Sequence, residues 1–250
     1  MIDNLTLVTC SFETPKITYS MLQSFVANHG PGPHDIVILE NSRNNETSEI
    51  LEKNKIIFSK NPGGTHSPSV EIALNKVKTK YALLLDTDVI FLKPIDDLFN
   101  LFKKNGLTLM GQLMESRGGY NLYPRISPHA CFINIDNIRK HNIHFHDQEK
   151  IDRTGSNGFF GNIPIQKNNG GKYYDCGSSF FEDIQNTGLK IGKINSMLEN
   201  TIYHAESGSW ATKSGIPGYI EMGKQRENNF FNLSKIYSDV SIYEKFNGII

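Results

Sequence analysis

The strongest constraint in this sequence is the alternation, from Leu5 to Leu85, of short apolar runs with stretches of helical spacing. Leu5 to Thr9, Asp35 to Leu39, Ile56 to Phe58 and Tyr81 to Leu85 are brief, apolar and bounded by polar or turn-forming residues, as buried strands are. Thr14-Pro15 opens a helix with Ile17, Met21, Leu22 and Phe25 at helical spacing, which the Gly- and Pro-rich stretch His29 to Pro33 ends. The turn Asn61-Pro62-Gly63-Gly64 leads into a second helix through Val70, Ile72, Ala73, Leu74 and Val77. Near-continuously apolar strands alternating with helices predict an α/β fold whose largely parallel sheet is covered on both faces. Such sheets bind ligands at the carboxyl ends of their strands. Three strand exits carry polar residues that could meet a ligand there, namely Cys10-Ser11, Glu40-Asn41 and Asp86-Thr87-Asp88.

The second half is less regular. Gly111 to Gly119 and Gly155 to Gly171 read as loop-rich, with a strand at Ala130 to Ile135 and a short helix at Asp136 to His141 between them. Ser178 to Asn186 reads as a helix capped by Gly188, and the tail from Glu227 onward as a helix over the sheet. At 250 residues without repeats or a low-complexity linker, one domain is expected.

Charge and cysteine content exclude other classes. Lys plus Arg equal Asp plus Glu at 26 each, so the broad positive field that nucleic-acid binding requires is missing. Cys10, Cys131 and Cys176 are too few and too scattered for a disulfide framework or a zinc knuckle, and read as reduced, mostly buried thiols. The amino terminus enters an apolar run without signal-peptide architecture, and no stretch is long enough to span a bilayer. A cytoplasmic protein with no transmembrane segment is the expectation.

The most informative segment is Leu83-Leu84-Leu85-Asp86-Thr87-Asp88-Val89-Ile90-Phe91. On an extended strand, residues two apart face the same side, so Asp86 and Asp88 are expected to project together where the apolar run reaches the sheet edge. Two adjacent carboxylates repel. A divalent cation removes the conflict, and hard oxygen ligands suit Mg²⁺ or Mn²⁺, which in turn bind a diphosphate. A bare Asp-x-Asp also occurs as two solvated aspartates, so its weight comes from the apolar strand and the βα units before it.

Lys80-Tyr81-Ala82-Leu83-Leu84-Leu85-Asp86-Thr87-Asp88 resembles the Asp-x-Asp region of glycosyltransferases with the GT-A fold, and the order of the elements before it resembles that family's nucleotide-binding half. The resemblance implies a single GT-A domain over 1–250, with a nucleotide-binding half over about 1–110 and an acceptor-binding half over about 111–250. It implies that Asp88 coordinates the metal directly and that Asp86, with Thr87 beside it, contacts the ribose or reaches the metal through water. By the same resemblance Thr9, Cys10, Ser11 and Glu13 lie near the base and ribose. Glu40 and Asn41 then take the second-strand position on the uracil or ribose side, and Asn61, Gly63 and Thr65 lie close to the nucleotide. Glu40 stands where aspartate is commoner, which leaves a UDP-sugar and a GDP-sugar both open as donor.

A neutral imidazole completes an oxygen-rich Mn²⁺ site, and His204, after a strand-like run, is the candidate third ligand. Many GT-A enzymes place a late His before Gly, Trp and Lys. Here Gly208, Trp210 and Lys213 follow in similar order with looser spacing, which would put Lys213 on the diphosphate. The plainer alternatives are a hydrogen-bonded strand-end histidine for His204 and core packing for Trp210. A second histidine cluster, His141, His144 and His146 with Asp147, reads as a solvated loop.

An inverting sugar transfer needs a carboxylate to take the acceptor hydroxyl's proton. Asp175 fits best, just before the helix that Gly188 caps, with Glu182 and Asp183 as alternatives. Equally, Asp175 could cap that helix and Glu182-Asp183 lie on its wet face. Gly118-Gly119-Tyr120 and Asn157-Gly158-Phe159-Phe160-Gly161 are aromatic loops suited to stacking on sugars, or plain loops. The expected reaction is transfer from a nucleotide-sugar to a glycan, a lipid-linked sugar or a protein. Two rivals remain. One is a haloacid-dehalogenase-like phosphohydrolase, although that family puts its Asp-x-Asp on the opening strand with Gly-Thr after it, where Val89-Ile90 stand here. The other is a sugar- or nucleotide-binding module without turnover.

Overall fold

The computed structural model of the chain describes residues 3–117, 120–149, 174–206 and 217–250. The central sheet has eight strands: β1 (Leu5–Ser11), β2 (His34–Glu40), β3 (Ser59–Lys60), β4 (Tyr81–Leu85), β6 (Leu109–Arg117), β7 (Tyr120–Asn134), β8 (Ile191–Lys193) and β10 (Phe246–Gly248). Their order is β10-β2-β1-β4-β7-β6-β8, with β3 also on β2. β10, β2, β1 and β4 run parallel, β3 parallel to β2, and β8 parallel to β6; β7 alone opposes its neighbours. A two-stranded ribbon, β5 (Val89–Phe91) against β9 (Ile202–His204), leaves the end of β4.

The strands alternate faces as period 2 requires. Leu7 and Leu83 join a core with Met21, Leu22 and Phe25 of α1 (Pro15–His29) and Phe99 and Phe102 of α4 (Asp96–Lys104). Val8 and Leu84 join a second core on the other face, with Val70 and Leu74 of α3 (His66–Lys76), Ile138 of α5 (Ile135–Lys140) and Phe180 and Ile184 of α6 (Ser178–Asn186). Pro15 occupies the first turn of α1, where its missing N–H costs nothing. Asp96 and Asp97 open α4 while Lys103 and Lys104 close it, matching the helix dipole. The helices α2 (Glu46–Lys53) and α7 (Asn195–Glu199) are short, and α8 (Pro217–Ser234) packs on α1 and β5. The mixed α/β architecture with a mostly parallel, helix-covered sheet is as the sequence predicts.

Several local expectations need correction. The third strand is Ser59–Lys60, not Ile56 to Phe58, because the Ile56 N–H bonds the Leu51 carbonyl and closes α2. α2 itself has no counterpart among the helices expected from apolar spacing. The stretch from Gly111 to Arg117 is strand, not loop: β6 pairs with β7 through register shifts at Gly111/Leu113 and Met114/Ser116, and bulges erase the alternation that marks a strand. Gly111 is needed there, since a Cβ would lie 2.6 Å from Ile126 Cγ2. The tail helix begins at Pro217, ahead of Glu227. Gly155 to Gly171 lies outside the described residues.

Candidate metal and nucleotide site

Because β2, β1 and β4 are parallel neighbours, their three polar exits meet at one edge, with Ser11 paired to Glu40 in register. β4 ends at Leu85, so Asp86 and Asp88 sit in the turn between β4 and β5 and not on a strand. Their convergence is therefore set by that turn and its anchors. The Asp86 N–H donates to the His129 carbonyl of β7 (3.0 Å), and the Asp88 carbonyl accepts from the Ala205 N–H (2.9 Å). The β5–β9 ribbon pairs Val89 with His204 and thereby carries His204 to the turn. His204 Nε2 lies 3.3 Å from Asp88 Oδ1 and 3.8 Å from Asp86 Oδ2.

One ligand atom from each of Asp86, Asp88 and His204 lies within 4.8 Å of the others, and this is the one such group of three among the described residues. Two carboxylate oxygens and one imidazole nitrogen form a donor set that suits a borderline divalent ion. Asp88 is 4 % exposed, and carboxyl groups at such depth are as a rule paired or bound to a metal. Burial alone would raise the Asp86 carboxyl, but His66 first, then His204 and His129, hold it well below the usual carboxylate range. Burial opposes a proton on His204; Asp88 and then Asp86 outweigh it and raise its pKa. The residues present therefore fit a cation.

Three further groups at this turn had no distinguishing signal in the sequence. His66, at the start of α3, places Nε2 3.4 Å from Asp86 Oδ1 and Nδ1 3.5 Å from Cys176 Sγ. His129 stacks face to face on His204, with ring centroids 4.2 Å apart and planes 4° from parallel. Arg125, 3 % exposed, pairs with Asp175 Oδ2 at 2.8 Å and donates to the Cys176 carbonyl. The three cysteines, far apart in sequence, share one core cluster as free thiols. Burial pushes Cys10 up to about 12, and Cys131 higher still.

The expected nucleotide residues lie at the same edge, most of them with defined partners. Thr9 and Ser11 are fully buried, and their hydroxyls have no hydrogen-bond partner among the described residues. The Glu13 N–H donates to Ser42 Oγ (2.7 Å). Glu40, 1 % exposed, accepts from the Ser42 N–H (2.8 Å) and the Ser48 hydroxyl (3.3 Å), so it braces the β2 exit. Asn41 Oδ1 accepts from Asn61 Nδ2 (3.0 Å) and Ser69 Oγ (3.1 Å). The Gly63 N–H donates to the Asn41 carbonyl (2.8 Å), and Thr65 is the N-cap of α3. Thr87 Oγ1 lies 3.4 Å from Thr14 Oγ1. Lys213, Gly208 and Trp210 lie outside the described residues, as do Gly118, Gly119 and Asn157 to Gly161.

Of the candidate bases, Asp175 lies just before α6, whose N-cap is Gly177, not Asp175, and Glu182 and Asp183 lie within the helix. Asp175 Oδ1 accepts from the Cys176 N–H (2.8 Å) while Oδ2 meets Arg125. Glu182 receives the Tyr174 hydroxyl at 2.9 Å on each oxygen, and Tyr174 stacks on Tyr123 at 4.0 Å. Asp183 is half-buried one residue further along α6. The second histidine cluster does not converge: His144 bonds Glu71, and His146 bonds Ser67 and Gln148, tying that segment to α3.

Among solved structures, S. aureus TarS 1-349 superposes with a TM-score of 0.54 at 12 % identity, over 93 % of this chain and 73 % of that one. The glycosyltransferase GlyE of Streptococcus pneumoniae gives 0.51 at 14 % identity, over 83 % of this chain and 48 % of that one. The mannosyltransferase PcManGT of Pyrobaculum calidifontis gives 0.50 at 9 % identity, over 96 % and 73 %. The fold is of the GT-A type. In this GT-A fold the edge where β2, β1 and β4 end carries the Asp86–Asp88–His204 group. The chain spans 44 % of the longer S. aureus TarS structure. No family model matches the sequence, and no curated protein matches it. No helix among the described residues is long and apolar enough to cross a membrane.

Proposed function

We propose that this chain is a metal-dependent glycosyltransferase that moves a hexose-type unit from a nucleotide-diphosphate donor to a hydroxyl acceptor. The observation that carries the reading is the group Asp86, Asp88 and His204, with ligand atoms within 4.8 Å, at the carboxyl edge of a GT-A-type sheet. These three side chains would hold the ion, and the imidazole nitrogen favours Mn²⁺ over Mg²⁺, which prefers an all-oxygen shell. When bound, such an ion neutralises the charge of the departing diphosphate. PcManGT is described in complex with GDP-Man and Mn²⁺, and TarS 1-349 with UDP, which supports a nucleotide-sugar donor here.

In this reading the residues about 1–110 hold the donor and about 111–250 the acceptor. Thr9, Cys10, Ser11, Glu13, Asn41, Asn61, Gly63, Thr65 and Thr87 shape the nucleotide side, with Glu40 holding the β2 exit from beneath through Ser42 and Ser48. Lys213 would meet the diphosphate. The acceptor's proton would pass to Asp175, Glu182 or Asp183 in an inverting transfer. The phosphohydrolase alternative needs Asp86 as a nucleophile, and the approach of His66 and His204 to both its oxygens favours a coordinating role instead.

The test is to incubate the protein with UDP- and GDP-sugars, with and without Mn²⁺, and to measure nucleotide release. Asp88→Ala is expected to lower Mn²⁺-dependent turnover by a factor of at least about 100, as loss of a metal ligand does. Turnover equal to wild type in that variant, or none on any nucleotide-sugar beside activity on p-nitrophenyl phosphate, would overturn the reading.

A further inference from the structure

We propose that His129 is a positioning residue for His204, a flat support that sets the plane of the ring whose Nε2 faces Asp86 and Asp88. The inference rests on the metal reading above and deepens it. A histidine ring turns about its Cβ–Cγ bond over a broad, weakly preferred range, so its own torsions do not aim Nε2. At the end of the three-residue strand β9, something else must do so.

The geometry supplies that support. The two imidazoles lie 4.2 Å apart and 4° from parallel, so rotating His204 about its Cβ–Cγ bond would drive its edge into His129. His129 is itself held: it is 5 % exposed, sits within the long strand β7, and its Nδ1 is joined to Ser127 Oγ by a 2.7 Å hydrogen bond. Its carbonyl also receives the Asp86 N–H at 3.0 Å. One residue of the sheet thus fixes the main chain at Asp86 and the ring plane at His204. Two of the three groups are registered against the same strand. Groups that orient metal ligands from behind commonly set affinity by one to two orders of magnitude.

The experiment measures the Mn²⁺ dissociation constant of the purified protein from the spin-resonance signal of free Mn²⁺, independently of turnover. The variants are His129→Ala, His129→Leu, His129→Phe and Asp88→Ala. Phenylalanine keeps a flat face against His204, whereas alanine and leucine do not. The expected result is that His129→Ala and His129→Leu bind Mn²⁺ about tenfold or more weakly, while His129→Phe stays within about threefold of wild type. If the alanine variant does not fold, the leucine and phenylalanine variants, both bulky and apolar, carry the comparison. A purely structural role for His129 predicts that those two behave alike, and that result overturns the proposal. Wild-type binding lost in Asp88→Ala but kept in His129→Ala or His129→Leu overturns this inference alone. Absence of Mn²⁺ binding by the wild type overturns the metal reading and this inference with it.

Discussion

At the residue scale the pairing of Arg125 with Asp175 bears on what this candidate base can do. Arg125 is almost wholly buried, and its guanidinium reaches both the Asp175 carboxylate and the Cys176 carbonyl. Arg125 Nε has no partner among the described residues, so the pair is all the more needed. Removing one member of a buried ion pair strands the other charge. Arg125→Met and Asp175→Asn are each expected to cost about 3 kcal/mol in urea denaturation. If Asp175→Asn keeps full stability while transfer falls, the ion pair is idle and Asp175 serves chemistry. Sequence spacing could place Asp175 before α6, but it could not show Arg125 arriving from β7, 50 positions earlier by residue number.

At the element scale, α1 is tied to the start of α4 through His29. The Ile95 N–H donates to His29 Nε2 (2.9 Å), so the proton resides on Nδ1, which donates to the Phe25 carbonyl (2.8 Å). The ring also stacks on Phe25 at 4.1 Å. A second proton would have to displace the Ile95 bond, and burial lowers the pKa to about 4. The unfolded chain takes up this proton near 6.5, whereas the folded one resists until about 4. Stability is therefore unaffected by His29 above pH 6.5 and falls as pH drops from there toward 4. Thermal melting across that window should show a shallower acid loss for His29→Gln than for wild type; parallel curves would exclude His29 as the cause. The helix itself was legible from Pro15, Ile17, Met21, Leu22 and Phe25, but its clasp to α4 was not, since a polar residue at a helix end advertises no partner.

At the scale of the whole molecule, the two ends of the parallel strands do different work. The far end is closed by β10, which pairs with His34 to Ile36 of β2, and the Ile249 N–H bonds the Ile36 carbonyl (2.8 Å). Phe246, 4 % exposed, fills the core beside Phe25. Phe246→Ala is expected to lose about 3–4 kcal/mol of stability while the Mn²⁺ dissociation constant stays within about twofold of wild type, because distant sites act nearly independently. Loss of both would show that the sheet transmits strain between its ends.

The sequence by itself determined the layered α/β plan, the elements β1, α1, β2, α3 and β4 in their order, and the pair Asp86 and Asp88 at a strand exit. Those features rest on local periodicity and on polar residues ending apolar runs, which adjacent residues encode. Only the tertiary structure decided how that pair converges, through a turn anchored to His129 and a ribbon that carries in His204. It also brought together His66, Cys176 and Arg125, and made one strand of bulged β6. Each of these depends on chain segments far apart in sequence, whose meeting is set by packing and strand registry and leaves no periodic trace along the chain.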